Sequence, residues 1–382
     1  KRSLDTVAWM QKKGVRFTAA WGRQAFNIGG RFKFWGGLTV EAVGGGPGLV
    51  ESLTNAARKN GVEVWYSARA VGLLTDDEGV QGVRVKRNGK TVEVRAKSVV
   101  LAAGGFQANP EARARYLGPG WELAKVRGTR FNTGDVIRMA LDAGAAPAGN
   151  WSGCHAVAWE RNAPEFGDLA IGDQFQKHSY PWGVYINAHG KRFVDEGADF
   201  RNYTYAKYGR VILGQPGQFA WQLFDAKVKA QLRDEYKIRQ VTKHTANSLE
   251  ELCAKLEDTD GKAALEELKA YNAAVCQDIP FNPNVKDGRG TRGLAIPKSN
   301  WANTLDTPPF EAYAVTCGIT FTFGGLRINT EAQVLDTDGA PIPGLYAAGE
   351  LVGGIFYFNY PGGTGLTNGA VFGKIAGTSA AR

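Results

Sequence analysis

Apolar positions along this chain fall into short runs divided by glycine-rich turns. Near the start, Leu4, Val7, Ala8 and Met10 recur at helical spacing, with Ser3 as cap and Gly14 as stop. A stretch rich in glycine and aromatic residues follows and reads as loop. Gly44 to Gly48 opens a second helix in which Leu49, Val50, Leu53, Ala56 and Ala57 share a face, ending near Gly61. Val62 to Tyr66 and Ala70 to Leu74 read as strands. Gly82 to Lys86 and Thr91 to Arg95 read as the arms of a hairpin around Asn88-Gly89. Ser98 to Phe106 is almost continuously apolar, the pattern of a strand inside a parallel sheet. Thr133 or Asp135 then caps a helix over Val136 to Ala143.

Beyond Asn150 the texture changes to aromatic and charged, with strands expected at Gly183 to Asn187 and Phe219 to Phe224 and polar helices at Ser248 to Leu256 and Lys262 to Cys276. From Phe321 the small-residue texture resumes. An apolar strand, Leu345 to Ala348, runs into Gly349-Glu350, and Asn359 to Leu366 leads into the small-residue helix Asn368 to Ala381. The pattern predicts an α/β fold with three segments: a first domain over 1–150, an inserted α+β capping domain over 151–316, and completion of the first domain by 317–382. Helix N-termini leave backbone N–H groups free to face a carbonyl or a developing negative charge, which marks the glycine run before Asn368 as a binding element. Glu350, beside a glycine that allows close approach, is placed to accept hydrogen bonds from ligand hydroxyls.

Fifty glycines in 382 residues is roughly twice the usual ~7% share, and 22% charged residues argue against disorder. The net charge of +9 is spread along the chain with no basic tract, which points to a small anionic substrate and away from nucleic acid. Cys154, Cys253, Cys276 and Cys317 show no C-x-x-C spacing, so neither a disulfide framework nor a metal site is expected. No apolar run is long enough for a membrane span, and a cytoplasmic protein is expected. Gly44-x-Gly46-x-Gly48 has the wrong spacing for a dinucleotide fingerprint and follows no apolar strand.

Taken together, Val99 to Phe106 (VVLAAGGF), Thr133-Gly134-Asp135, Gly190 to Glu196 (GKRFVDE), Thr322 to Leu326 (TFGGL), Gly344 to Glu350 (GLYAAGE) and Asn359 to Ala376 resemble the FAD-binding fumarate reductase and succinate dehydrogenase flavoprotein superfamily. Trp151 to His155, Gly318 to Thr322 and Phe358 to Gly363 look most like its tricarballylate dehydrogenase branch. The resemblance implies an FAD-binding Rossmann-like domain, here lacking the N-terminal ADP-binding βαβ unit. It also implies a reaction at a CH–CH bond and a separate electron acceptor, a protein or a quinone, because no iron–sulfur or haem ligation pattern occurs. Two positions depart from the fumarate reductases: Tyr360 and Phe321 stand where those enzymes carry an arginine and a histidine that clamp substrate carboxylates.

The resemblance further implies Ala103, Gly104, Asp135, Gly349, Glu350, Gly363, Thr364 and Leu366 as cofactor contacts. It implies Arg201, Tyr360 and His155 as catalytic groups: Arg201 by its place near the superfamily's proton-transferring arginine, Tyr360 as a phenol in the turn facing the flavin, and His155 near a substrate-binding histidine. His178, Arg127, Arg130 and Thr322 are the candidate substrate contacts, the arginines because a polycarboxylate needs several cationic partners. The expected reaction is desaturation of a polycarboxylate such as tricarballylate. A ketosteroid-type dehydrogenase, a fumarate-reductase-like enzyme, a tetrapyrrole-precursor oxidase and a flavin-less ligand-binding or inactive fragment are the alternatives.

Overall fold

A thirteen-residue strand, Phe310–Thr322, is the spine of the largest sheet. The computed structural model describes residues 1–21, 25–28, 30–34 and 39–382. Within them this strand pairs antiparallel with Cys154–Glu160, Lys243–Ala246 and Phe219–Phe224, and the last of these pairs in turn with Val184–Ile186. Lys125–Val126 joins it in parallel at Gly318 and Ile319. Nearly all of its residues are buried, so no two-residue alternation betrays it in the sequence. The expected division between 316 and 317 falls inside this unbroken strand.

A second sheet orders Gln333–Leu335, Pro341–Ala347 and Val99–Leu101. Leu345, Tyr346 and Ala347 run parallel to Val99, Val100 and Leu101. The apolar run Ser98 to Phe106 is therefore strand for only three residues, because its partner ends at Ala347 and the chain turns at Gly104, where φ is +75°. A third sheet is the meander Ala68–Asp76, Gly79–Arg87, Lys90–Arg95. Asn88 and Gly89 carry φ of 50° and 76°, the type I′ turn that matches strand twist.

Several sequence expectations need correction. Arg2, not Ser3, is the N-cap of the first helix, Ser3–Lys12. Val62 to Tyr66 is not a strand: the Val62 N–H donates to the Ala57 carbonyl at 3.0 Å, closing the helix Gly45–Lys59. The loop expected between Gly14 and Gly44 contains the strand pairs Phe17–Ala19 with Val40–Ala42 and Ala25–Ile28 with Arg31–Phe34; its residues 22–24, 29 and 35–38 lie outside the described ones. Gly134, in the left-handed region, caps the helix Asp135–Asp142 with no side-chain bond.

Two helices were not legible. Pro110–Leu117 is capped by Asn109, which accepts from the Ala112 N–H at 3.1 Å. Arg201–Leu213 is masked by aromatic, threonine and glycine positions that favour other conformations. The helices Leu249–Ala254 and Gly261–Ala274 begin at Ser248 and Asp260, whose side chains accept from Glu251 and Ala263 N–H. In the Gly190 to Glu196 motif, Arg192 and Glu196 form a 2.6 Å ion pair buried on both sides. Glu196 also accepts from Tyr185 N–H at 2.9 Å and Arg192 donates to the Ile296 carbonyl at 2.7 Å. Charges taken out of water need such added partners.

Candidate active site

Two constellations meet where the long strand ends. The first is a glycine cradle. Ala103-Gly104 and Gly349-Glu350 both follow the carboxyl ends of the parallel strands Val99–Leu101 and Pro341–Ala347, the edge at which open α/β sheets bind ligands. Gly349 and Gly363 have φ of +85° and +83°, and among the described residues a Cβ on either would meet nothing within 4 Å. Gly363 caps the helix Thr364–Ala380, whose Gly369 packs against the Cα of Gly349. Leu366 on its first turn is 75% exposed, and Ala103 is exposed as well.

Glu350 braces this cradle. One carboxylate oxygen accepts from the Thr322 N–H at 2.9 Å; the other accepts from Gln107 at 3.1 Å and from Asn132 at 3.4 Å. Burial pushes its pKa up to about 7 in spite of these donors. Gly105 passes so close that a Cβ there would sit 2.1 Å from Thr322 Oγ1 and 2.5 Å from Glu350 Oε1. Thr322, expected at the substrate, is buried with its hydroxyl accepting from Phe106 N–H at 3.3 Å. Asp135 pairs with Arg69 and Arg138 on the protein surface.

The second constellation is aromatic and surrounds Tyr205. The His155 ring stands edge-on to it at 4.9 Å, the His178 ring at 5.2 Å, and the Arg201 guanidinium lies 5.8 Å from its centroid. Tyr360 stacks on His155 at 4.4 Å and closes the group at 6.4 Å from Tyr205. Phe321, at the position of the family's histidine, packs 5.5 Å from Tyr360, and Phe356 lies 4.8 Å away. The fold thus gathers Arg201, Tyr360, His155, His178 and Arg127, and leaves out Arg130, which is exposed over the Phe166 ring.

Electrostatics differentiate these groups. His155 is 1% exposed and, among the described residues, neither ring nitrogen has a hydrogen-bond partner. Burial first, then the charge of Arg127, holds it well below the ordinary imidazole pKa, so it is neutral. Burial and the neighbouring Arg233 bring Arg201 down to about 9, within reach of proton exchange. Arg127 donates to Asp173 through Nε and Nη2, both at 2.6 Å. Burial opposes its charge, but Asp173 outweighs burial and raises its pKa. Burial raises the Tyr360 phenol, against the pull of Arg127 and of the Gly365 N–H at the helix N-terminus.

The fold brings Tyr205, Asp173 and Gln176, the last accepting from Arg127 at 3.4 Å, into this candidate site, and sequence reasoning did not single them out. Tyr205 had a usable signal: four residues after Arg201, it shares that residue's helical face once Arg201–Leu213 is known to be a helix. Asp173 had none, since only the fold sets it against Arg127.

The chain is similar to a probable fumarate reductase of Shewanella frigidimarina, 29% identical over 398 residues, covering 100% of this chain and 60% of that protein. Among solved structures, the open conformation of a flavocytochrome c3 fumarate reductase superposes with a TM-score of 0.73 at 29% identity, covering 100% of this chain and 62% of that one. The 3-ketosteroid Δ1-dehydrogenase of Sterolibacterium denitrificans, in complex with 1,4-androstadiene-3,17-dione, superposes at 0.68 with 25% identity over 88% of this chain and 63% of its own. The chain therefore spans about 60% of the length of the first of these relatives. The model of the FAD binding domain family matches residues 1–366, across both the bare glycine cradle and the aromatic cluster, and the chain belongs to that family.

Proposed function

We propose that this protein is an FAD-dependent oxidoreductase acting across a C–C bond conjugated to a carbonyl or to a single carboxylate. The observation that carries the reading is one buried cluster joining Arg201 and His155 to Tyr360, whose phenol lies against the N-terminus of the cradle helix. Bare backbone at Gly349 and Gly363, an accessible Ala103 and the apolar Leu366 fit an isoalloxazine ring lying on the cradle. FAD bound there supplies hydride transfer at its N5.

The chain's own groups have separable tasks. Arg201 holds the proton exchanged with the carbon next to the hydride-bearing one, a role served by its lowered pKa. Tyr360 donates its hydroxyl proton in a hydrogen bond to the substrate oxygen, and the helix N-terminus beneath stabilises the charge that develops there. Neutral His155 offers a second N–H to the same end of the substrate. The rings of Phe321, Phe356 and Tyr205 exclude water and favour a planar, apolar substrate body.

This geometry serves tricarballylate less well. Three carboxylates need several uncompensated cations, whereas Arg127 is engaged by Asp173 and Arg130 lies outside the cluster. Anaerobic mixing of FAD-loaded protein with a cyclic enone or its saturated ketone, cinnamate, fumarate, succinate and tricarballylate tests the reading through flavin absorbance. Bleaching by the saturated ketone, or reoxidation of reduced flavin by the enone or cinnamate, is expected. A response confined to the di- and tricarboxylates overturns it.

A further inference from the structure

Lys177 has 0% exposure, and its ammonium sits among backbone carbonyls. Nζ lies 3.2 Å from the Gln174 oxygen, 3.3 Å from those of Phe175 and Gln176, and 3.0 Å from that of Glu235. Three of these four acceptors belong to the residues immediately before it, so the chain is curled around its own side chain. Four carbonyl oxygens converging on one charge are also the type of donor that holds a monovalent cation.

We propose that Lys177 is a positioning residue: a tethered cation that holds the active-site face of residues 173–178 in place. This rests on reading the Tyr205 cluster as the substrate site. Gln176 and His178 flank Lys177 and contact the Tyr205 cluster, while the Lys177 side chain turns back on its own backbone. Gln176 accepts from Arg127 at 3.4 Å, Asp173 binds the same guanidinium, and the His178 ring meets Tyr205. On its own side Lys177 reaches Glu235, whose side chain pairs with Arg233 at 2.6 Å, and both charges act on Arg201. One ammonium therefore ties the segment presenting His178 to the turn that sets the field at Arg201. The backbone of Lys177 is anchored too, with its N–H on Ala158 O at 2.9 Å and its carbonyl accepting from Gln222 at 3.0 Å, so loss of the ammonium releases the curl and leaves these two backbone bonds in place.

The test compares Lys177→Ala, which opens the shell, with Lys177→Met, which fills it without charge, in the full-length protein loaded with FAD. Thermal midpoints are measured in ammonium, potassium and tetramethylammonium chloride at equal ionic strength. The K177A midpoint should rise in ammonium and potassium over tetramethylammonium, while wild type and K177M should not respond. For the enone or enoate that the wild type turns over, kcat/KM of both variants should fall by about 10²-fold in tetramethylammonium, the scale of an ångström misplacement. Ammonium should recover at least about tenfold of that in K177A alone. An equal cation response in all three proteins, or wild-type kcat/KM in K177M, overturns the proposal. If K177A does not fold in any of the salts, K177M decides by its activity. Should the wild type turn over none of these compounds, the functional reading fails while the thermal comparison still judges Lys177.

Discussion

Replacing Asp173 by asparagine isolates the charge balance on which substrate choice depends. Asp173 neutralises Arg127 through two 2.6 Å contacts, with the two side chains 28% and 15% exposed. Hydrogen bonds to charged groups contribute roughly 1.5–3 kcal/mol each, and partial exposure places this pair toward the low end. The amide keeps one acceptor, so D173N should lose about 2 kcal/mol of stability, read as a lower urea midpoint at unchanged slope. The same change leaves Arg127 uncompensated beside His155, Tyr205 and Tyr360, whose titration it already influences. At an effective dielectric near 20, a guanidinium and an incoming carboxylate about 5 Å apart attract by roughly 3 kcal/mol. About half should survive desolvation of the ligand, which makes fumarate bind about tenfold more tightly to D173N. Titration followed by flavin absorbance at low and high salt measures this, and the gain should shrink with salt. A folded D173N whose fumarate affinity equals that of wild type would falsify the claim that Asp173 cancels Arg127.

Tyr360→Phe should leave FAD binding and the melting temperature near wild type and lower kcat by about 10²-fold, the usual effect of losing one hydrogen-bond donor to a developing oxyanion; unchanged kcat would remove the phenol from the mechanism. Glu350→Gln tests the brace by pH. The folded carboxyl titrates near 7 against an ordinary value of 4.5, so its stabilising contribution is complete below pH 4.5 and is lost as pH rises through 7. Urea midpoints at pH 5 and pH 8 should show wild type falling relative to E350Q by roughly 1–3 kcal/mol, and parallel pH profiles would contradict the assignment.

Local chemistry made much of the fold readable. Asn88-Gly89 can adopt positive φ cheaply, so its hairpin formed as expected. Phe219–Phe224 and the helices Leu249–Ala254 and Gly261–Ala274 likewise follow from runs and caps within a few residues of one another. Long-range pairing was the harder part. Phe310–Thr322 is buried on both faces and so lacks alternation, and Val62 to Tyr66 carries strand-like residues but spends its first N–H on a helix end.

The active site divides along the same line. Order and spacing of the glycine and acidic motifs determined, from the sequence alone, that Gly349 turns the chain after an apolar strand and that Gly363 opens a helix, because turn geometry depends on neighbours in the chain. Only the tertiary structure decided that Arg127 is neutralised, that Thr322 donates its N–H to Glu350, and that Tyr205 stands between His155 and His178. Those outcomes turn on charge–charge and ring contacts between residues dozens of positions apart, whose strength depends on distance and burial, and neither quantity exists until the chain has folded.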